Sequence, residues 1–243
     1  MDVRQISIFL YKNIKKIFFN LIGPGGNGCL ARCIDHKAAR RILQSMISKT
    51  NNFDNVRWLG KPVWQFPLGI WVLQEMIAEV KPDIIIETGT HFGGSAYFFA
   101  CLCDLLNHGG VISIDIAPQA TIPHPRIKYI KGSSVDPRTL ESVKKNLGHV
   151  GIKKILVILD SDHSAYHVKQ ELETYAPLIP IGSYIHIQDG CIDDLFVLKK
   201  DRPGPKVATR AFLKSHPEFI RDSELESRYL ITFHPYGWIK RIS

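Results

Sequence analysis

Four short apolar runs in this chain each end at an acid or within two residues of one. Ile84-Ile85-Ile86 runs into Glu87, Val111-Ile112-Ser113-Ile114 into Asp115, Ile155-Leu156-Val157-Ile158-Leu159 into Asp160, and Tyr184-Ile185-His186-Ile187 into Gln188-Asp189. Runs of this length, rich in β-branched residues, are strands buried on both faces. Another strand is expected at 127–130. Helical stretches are expected at 36–48, 68–80, 95–106, 137–147, 167–176 and 208–215. This alternation predicts an α/β fold with a doubly wound, mostly parallel seven-stranded sheet. Segments 229–233 and 238–242, joined by the turn His234-Pro235-Tyr236-Gly237, are expected to close it as an antiparallel hairpin. Ligands of such sheets bind outside the carboxyl ends of the strands, where the strand order reverses. A single acid there can be a helix cap; four along one edge point to a site.

The first turn reads Glu87-Thr88-Gly89-Thr90-His91-Phe92-Gly93-Gly94-Ser95. Gly89 allows close backbone approach, and Gly93 and Gly94 leave room at a helix start. A dinucleotide fingerprint would carry a second glycine where His91 stands. S-adenosylmethionine, which has an ammonium, a carboxylate and a sulfonium but no phosphate, suits the turn better. Glu87 is a partner for the ammonium, directly or through water, and the helix start at Gly93 to Ser95 suits the carboxylate. Asp115 is placed for the ribose hydroxyls. Ser133 and Ser134 are expected near the adenine.

Asp160-Ser161-Asp162-His163 forms a second cluster, and Asp189 would face the same space. Grouped acids with a histidine suit metal binding or proton transfer. Carboxylate oxygens favour Mg²⁺ over Zn²⁺. The structural alternative is that Asp160 or Asp162 caps the next helix and His163 is a surface residue.

Composition narrows the partners. The net charge of +8 suits anionic ligands, yet no C₂H₂ finger or RRM signature occurs, so nucleic acid is not expected. The five cysteines form no paired metal motif, and a reducing cytoplasmic compartment fits them. Residues 1–22 are apolar at helical spacing but interrupted by Lys12, Lys15 and Lys16. They predict an amphipathic helix that either caps a domain or subunit interface or lies peripherally on a membrane.

The chain resembles the cephalosporin hydroxylase/rhamnosyl O-methyltransferase family. The resemblance rests on Trp58-Leu59-Gly60 with Pro62, the stretches 67–75, 87–95 and 160–164, and Tyr175-Ala176-Pro177-Leu178. It continues through Gly182-Ser183-Tyr184, Pro203-Gly204-Pro205, His216-Pro217-Glu218-Phe219, and Pro235 with Gly237. It implies a class I, Rossmann-like methyltransferase domain at 58–243 behind a helical extension at 1–57. It implies cofactor contacts at Glu87, Gly89, Thr90, Gly93, Ser95, Asp115 and Ser134, with Asp160 beside them. It also implies metal ligands at Asp162 or Asp160 and at Gln188-Asp189. The family usually carries Glu-Asp there; Gln188 removes one negative charge and weakens Mg²⁺ binding. The expected reaction is methylation of a sugar, glycan or small-metabolite hydroxyl, with Asp162 and Asp189 holding the ion. His163 or His91 is the candidate general base. The aromatic loop 58–66 and the segment 201–206 are expected to form a lid, and a homo-oligomer is expected. A degenerate binding or scaffold protein is the alternative that Gln188 motivates. An iron hydroxylase would need a facial triad, which the sequence lacks.

Overall fold

The computed structural model describes residues 36–148 and 153–243. The expected helix at 1–22, Cys29 and Cys33 lie outside these residues. The chain divides into two compact units, 1–42 and 43–243. Of the first unit, only the opening of helix α1 (His36–Thr50) is described; the rest of the account concerns the second.

A two-stranded hairpin, β1 (Arg57–Trp58) and β2 (Lys61–Pro62), is followed by α2 (Pro67–Val80). Its turn residues Leu59 and Gly60 both have positive φ, 46° and 79°, which matches the twist of a two-residue hairpin. Next come β3 (Ile84–Thr88), α3 (Gly94–Leu105), β4 (Gly110–Asp115), β5 (Ile127–Lys131) and α4 (Pro137–Leu147). They are followed by β6 (Ile155–Leu159), α5 (Ala165–Tyr175), β7 (Tyr184–Ile187) and α6 (Pro205–Ser215). The chain closes with β8 (Phe219–Arg221), α7 (Ser223–Ser227) and β9 (Trp238–Arg241).

The main sheet has seven strands in the order β5-β4-β3-β6-β7-β9-β8. β3 to β7 are mutually parallel, and β9 runs antiparallel to both β7 and β8. The strand order reverses between β3 and β6, so the crevice of a doubly wound sheet opens at Thr88 and Leu159, paired in register. Strand alternation feeds two cores. Ile86, Val157 and Leu159 pack with Leu172 and Phe212 on one face, and Ile85, Leu156 and Ile158 pack with Leu73 and Phe98 on the other. Helices therefore cover both faces, as the apolar runs require.

The closing antiparallel pair exists, but its first arm is β8 and not the expected 229–233. Leu230 has a left-handed φ of 67°, and the Ile231 N–H folds back onto the Tyr229 carbonyl at 2.7 Å. Extension is broken there. Phe233 instead inserts among Phe53, Phe66 and Leu195, and its carbonyl accepts the Cys191 N–H at 3.0 Å.

Candidate active site

The turn after β3 is shaped first by the protein's own backbone. Gly89 has φ 90°, and a Cβ there would lie 2.0 Å from the Asp160 carbonyl oxygen. A Cβ on Gly94 would lie 1.8 Å from the Pro62 carbonyl oxygen. The room these glycines leave is thus filled by the start of the β6–α5 loop and by the β1–β2 hairpin. Gly93 has φ 72° and precedes α3 as its N-cap; it does not line the cavity.

Glu87 is buried at 1 % exposure and lies behind the cavity wall. Its Oε2 accepts from the Ser113 hydroxyl at 2.6 Å, and Ser113 shares a hydrogen bond with Thr90 at 2.7 Å. Burial pushes its carboxyl up to about 7, opposed by hydrogen bonds from Ser113 and Ser95. Asp115 accepts the backbone N–H groups of His91 at 2.9 Å and Ala117 at 2.7 Å. A carboxylate has further lone pairs, so it can still take hydroxyl donors from the cavity it lines.

The second cluster assembles at the ends of β6 and β7. His163 Nε2 stands 3.4 Å from Asp189 Oδ2 and 3.9 Å from Asp160 Oδ1. Burial and the neighbouring Asp189 charge push the Asp160 carboxyl well above its ordinary range, and burial raises Asp189. Asp162 turns aside: its Oδ1 accepts the Ser164 N–H at 2.8 Å, and that bond holds its carboxyl low. The helix-capping alternative therefore describes part of what Asp162 does, although Ser164 is the N-cap of α5. Among the described residues no three His, Cys, Asp or Glu side chains are already gathered around one metal position. The Asp160 and Asp189 pair still fits a hard cation. Two half-buried acids, one of which raises the other's pKa, would be relieved by a divalent charge.

One cavity of about 940 Å³ joins the two clusters. It is lined by Gly89, Thr90, His91, Ser95, Asp115 and Ser134 on the β3–β5 side. Asp160, Asp162, His163, Gln188 and Asp189 line it on the β6–β7 side. Of the residues expected from sequence, Glu87 and Gly93 stay outside the lining. The two histidines separate: His163 stands among the acids, whereas the His91 ring lies between Trp64, at 4.8 Å, and Phe92, at 3.9 Å.

Sequence reasoning missed several members. Gln65 Nε2 donates to Asp160 Oδ2 at 2.5 Å. His234 Nδ1 accepts the Asp189 N–H at 2.9 Å. His167 Nε2 is 3.0 Å from Ser134 Oγ and 3.5 Å from the fully buried Glu171. Each partner lies far away in sequence or on a helix face, where no motif marks it.

A family model described as Rhamnosyl O-methyltransferase/CmcI matches residues 50–242. The chain belongs to this family. Rhamnosyl O-methyltransferase of Mycobacterium tuberculosis is 32 % identical over 190 residues, covering 76 % of this chain and 77 % of that protein. The Mycobacterium leprae protein of the same name is 31 % identical over 197 residues, covering 78 % and 84 %. A CmcI structure with Mg and SAM superposes with TM-score 0.61 at 20 % identity, over 79 % of this chain and 78 % of that one. A CmcI apo structure gives the same TM-score of 0.61 at 21 % identity and the same coverage. The doubly wound sheet expected from the strand–helix alternation is thus the class I methyltransferase architecture that the resemblance implied, and the chain is a methyltransferase.

Proposed function

We propose that this chain transfers the methyl group of S-adenosylmethionine to a hydroxyl of a sugar, on a glycan or small metabolite, with help from a divalent metal. The observation that carries the reading is the Asp160–His163–Asp189 group, which shares a cavity with the turn after β3. The Rhamnosyl O-methyltransferase relatives support a sugar acceptor, and the CmcI structure with Mg and SAM supports the cofactor pair.

In this reading the cofactor carboxylate meets the start of α3 near Ser95, and its ribose hydroxyls donate to Asp115. Ser134 lies toward the adenine. Glu87 acts through Ser95, Ser113 and Thr90, and the cofactor ammonium favours its ionised form. Asp160 and Asp189 would hold the ion, with Asp162 and Gln188 lining the same cavity; bound there, it would lower the pKa of an acceptor hydroxyl. Gln65 orients Asp160 through its amide hydrogen bond. His163 takes the hydroxyl proton at Nε2, the atom that faces both acids. Holding the acceptor oxygen in line with the sulfonium methyl supplies much of the rate.

The domain assignment 58–243, a homo-oligomer, and cytoplasmic work with peripheral membrane contact through residues 1–22 belong to the same proposal. No described helix is long and apolar enough to cross a membrane.

The test is a mass-spectrometric screen for methyl gain on rhamnosides and other glycosides, run with S-adenosylmethionine and Mg²⁺ or with chelator. Product that depends on Mg²⁺ and is lost in Asp189→Ala is expected. Calorimetry that detects neither S-adenosylmethionine nor Mg²⁺ binding would support the scaffold alternative. Equal turnover with chelator would remove the metal.

A further inference from the structure

We propose that Trp64 is the platform on which the acceptor sugar ring lies, with His91 bracing it. The inference rests on the sugar-methylating reading above and adds the place where the acceptor binds.

Trp64 stands between β2 and α2 and lines the cavity, yet 43 % of it is exposed. Its φ is 52°, and that of His91 is 45°. Left-handed backbone is uncommon and unfavourable for bulky residues, so it marks positions the surroundings hold in place. Three contacts hold His91 through its main chain. Its N–H donates to Asp115 at 2.9 Å, and its carbonyl accepts from Gln119 at 2.8 Å and Ala120 at 3.0 Å. The ring of His91 is thereby fixed 4.8 Å from the Trp64 ring, tilted by 32°, and 3.9 Å from Phe92, which is itself 40 % exposed. Two strained residues together keep an aromatic surface open at the cavity mouth, where burial would otherwise favour folding it away.

The next residue decides the occupant. Gln65 is 5 % exposed and reaches inward to Asp160 at 2.5 Å. Consecutive side chains of this loop therefore divide, one toward the reacting carboxylates and one toward solvent above them. Trp64 and Asp160 line the same cavity, so a ligand that directs a hydroxyl at Asp160 can place its ring against Trp64. One face of a pyranose ring is lined by C–H groups of slight positive charge, and an aromatic face carries the opposite charge. An apolar surface beside a few convergent polar groups is the usual make-up of a specific small-ligand site.

The experiment uses the full chain with three Trp64 substitutions: Trp64→Leu, Trp64→Phe and Trp64→Tyr. Calorimetry reads S-adenosylhomocysteine affinity. Saturation-transfer NMR on the S-adenosylhomocysteine-loaded protein reads binding of methyl α-L-rhamnopyranoside. Trp64→Leu is expected to weaken rhamnoside binding about three- to tenfold, the scale of an aromatic contact. The Phe and Tyr variants are expected to recover most of it, and S-adenosylhomocysteine affinity is expected to stay within about twofold in all three. Rhamnoside binding unchanged in Trp64→Leu overturns the platform. Weakened S-adenosylhomocysteine binding with unchanged rhamnoside binding assigns the ring to the cofactor and overturns it as well. A wild-type protein that binds S-adenosylhomocysteine but no rhamnoside also overturns it, leaving the methyltransferase reading intact. Failure of the wild type to bind S-adenosylhomocysteine sinks the broader reading itself.

Discussion

The backbone N–H of Asp189 donates to Nδ1 of His234 at 2.9 Å. An accepting Nδ1 places the ring proton on Nε2, so His234 is neutral. Asp189 has a left-handed φ of 57°, and His234 is buried at 2 % exposure. A Cβ on Gly69 would lie 2.8 Å from His234 Nε2, so a glycine on α2 makes room for the ring. The opposite tautomer holds behind it: His186 Nδ1 donates to the Gly237 carbonyl at 2.9 Å. Asparagine offers an oxygen close to the Nδ1 position, and leucine offers nothing. His234→Leu should lose about 1–3 kcal/mol in urea melts, the cost of an unpaired buried N–H, and should bind Mg²⁺ more weakly by calorimetry. His234→Asn should keep most of the metal affinity. Equal Mg²⁺ affinity in both variants would show that His234 does not position Asp189.

Glu87 makes stability depend on pH. Its carboxyl is raised from 4.5 to about 7, mainly by burial. The folded state then holds a proton that the unfolded state releases, so this contribution is complete below about pH 4.5 and is lost as pH rises through 7. The neutral His186, pushed down to about 3 by burial, works in the opposite sense. Comparison with Glu87→Gln isolates the glutamate. The variant should gain about 3 kcal/mol relative to wild type between pH 4.5 and 7.5, read from chemical melts without cofactor. A difference that stays flat across that range would place the Glu87 pKa near its ordinary value.

Gln188 is 1 % exposed, and its amide nitrogen has no hydrogen-bond partner. Gln188→Glu installs the acidic pair that the family resemblance implies at 188–189. It should tighten Mg²⁺ binding by about tenfold, through one more anionic oxygen beside Asp189. The same variant should melt earlier without metal, because a buried acid at 188 joins the half-buried Asp160 and Asp189. Calorimetry and thermal melts with and without Mg²⁺ read both effects.

Gly94→Ala should cost about 2–4 kcal/mol, because its Cβ would meet the Pro62 carbonyl at 1.8 Å and neither backbone can yield cheaply. Gly110→Ala is the control: its nearest neighbour atom would be 3.5 Å away, and the change should stay within about 1 kcal/mol. Thermal unfolding of both variants checks the pair. Equal costs would place the hairpin away from the start of α3.

The elements whose hydrophobic pattern carries their identity were legible in advance. β6, β7 and α4 occupy the residues expected, β3 runs two residues past its apolar run, and β4 extends its run by one residue at each end. A buried parallel strand leaves an uninterrupted apolar run, and little else in a chain does. β8 was missed because Phe219-Ile220-Arg221 is three residues long and exposed at two of them. It exists because β9 offers it a partner. Segment 229–233 has the composition of a strand but no partner, and Phe233 is worth more in the cluster with Phe53 and Phe66.

The site divides along the same line. Sequence alone determined the turn from Glu87 to Ser95, the acids after β4, β6 and β7, and their convergence on one edge. Each follows from strand ends in a parallel sheet, a local property repeated in register. Only the tertiary structure decided what those residues face. It sent Glu87 behind the wall, turned Asp162 to Ser164, set His163 between Asp160 and Asp189, and drew His91 to Trp64. Gln65 reaches Asp160 across 95 positions and His234 reaches Asp189 across 45. Contacts at that separation depend on loop geometry and on which surfaces remain unfilled after the cores have packed, and no periodicity in the chain encodes either.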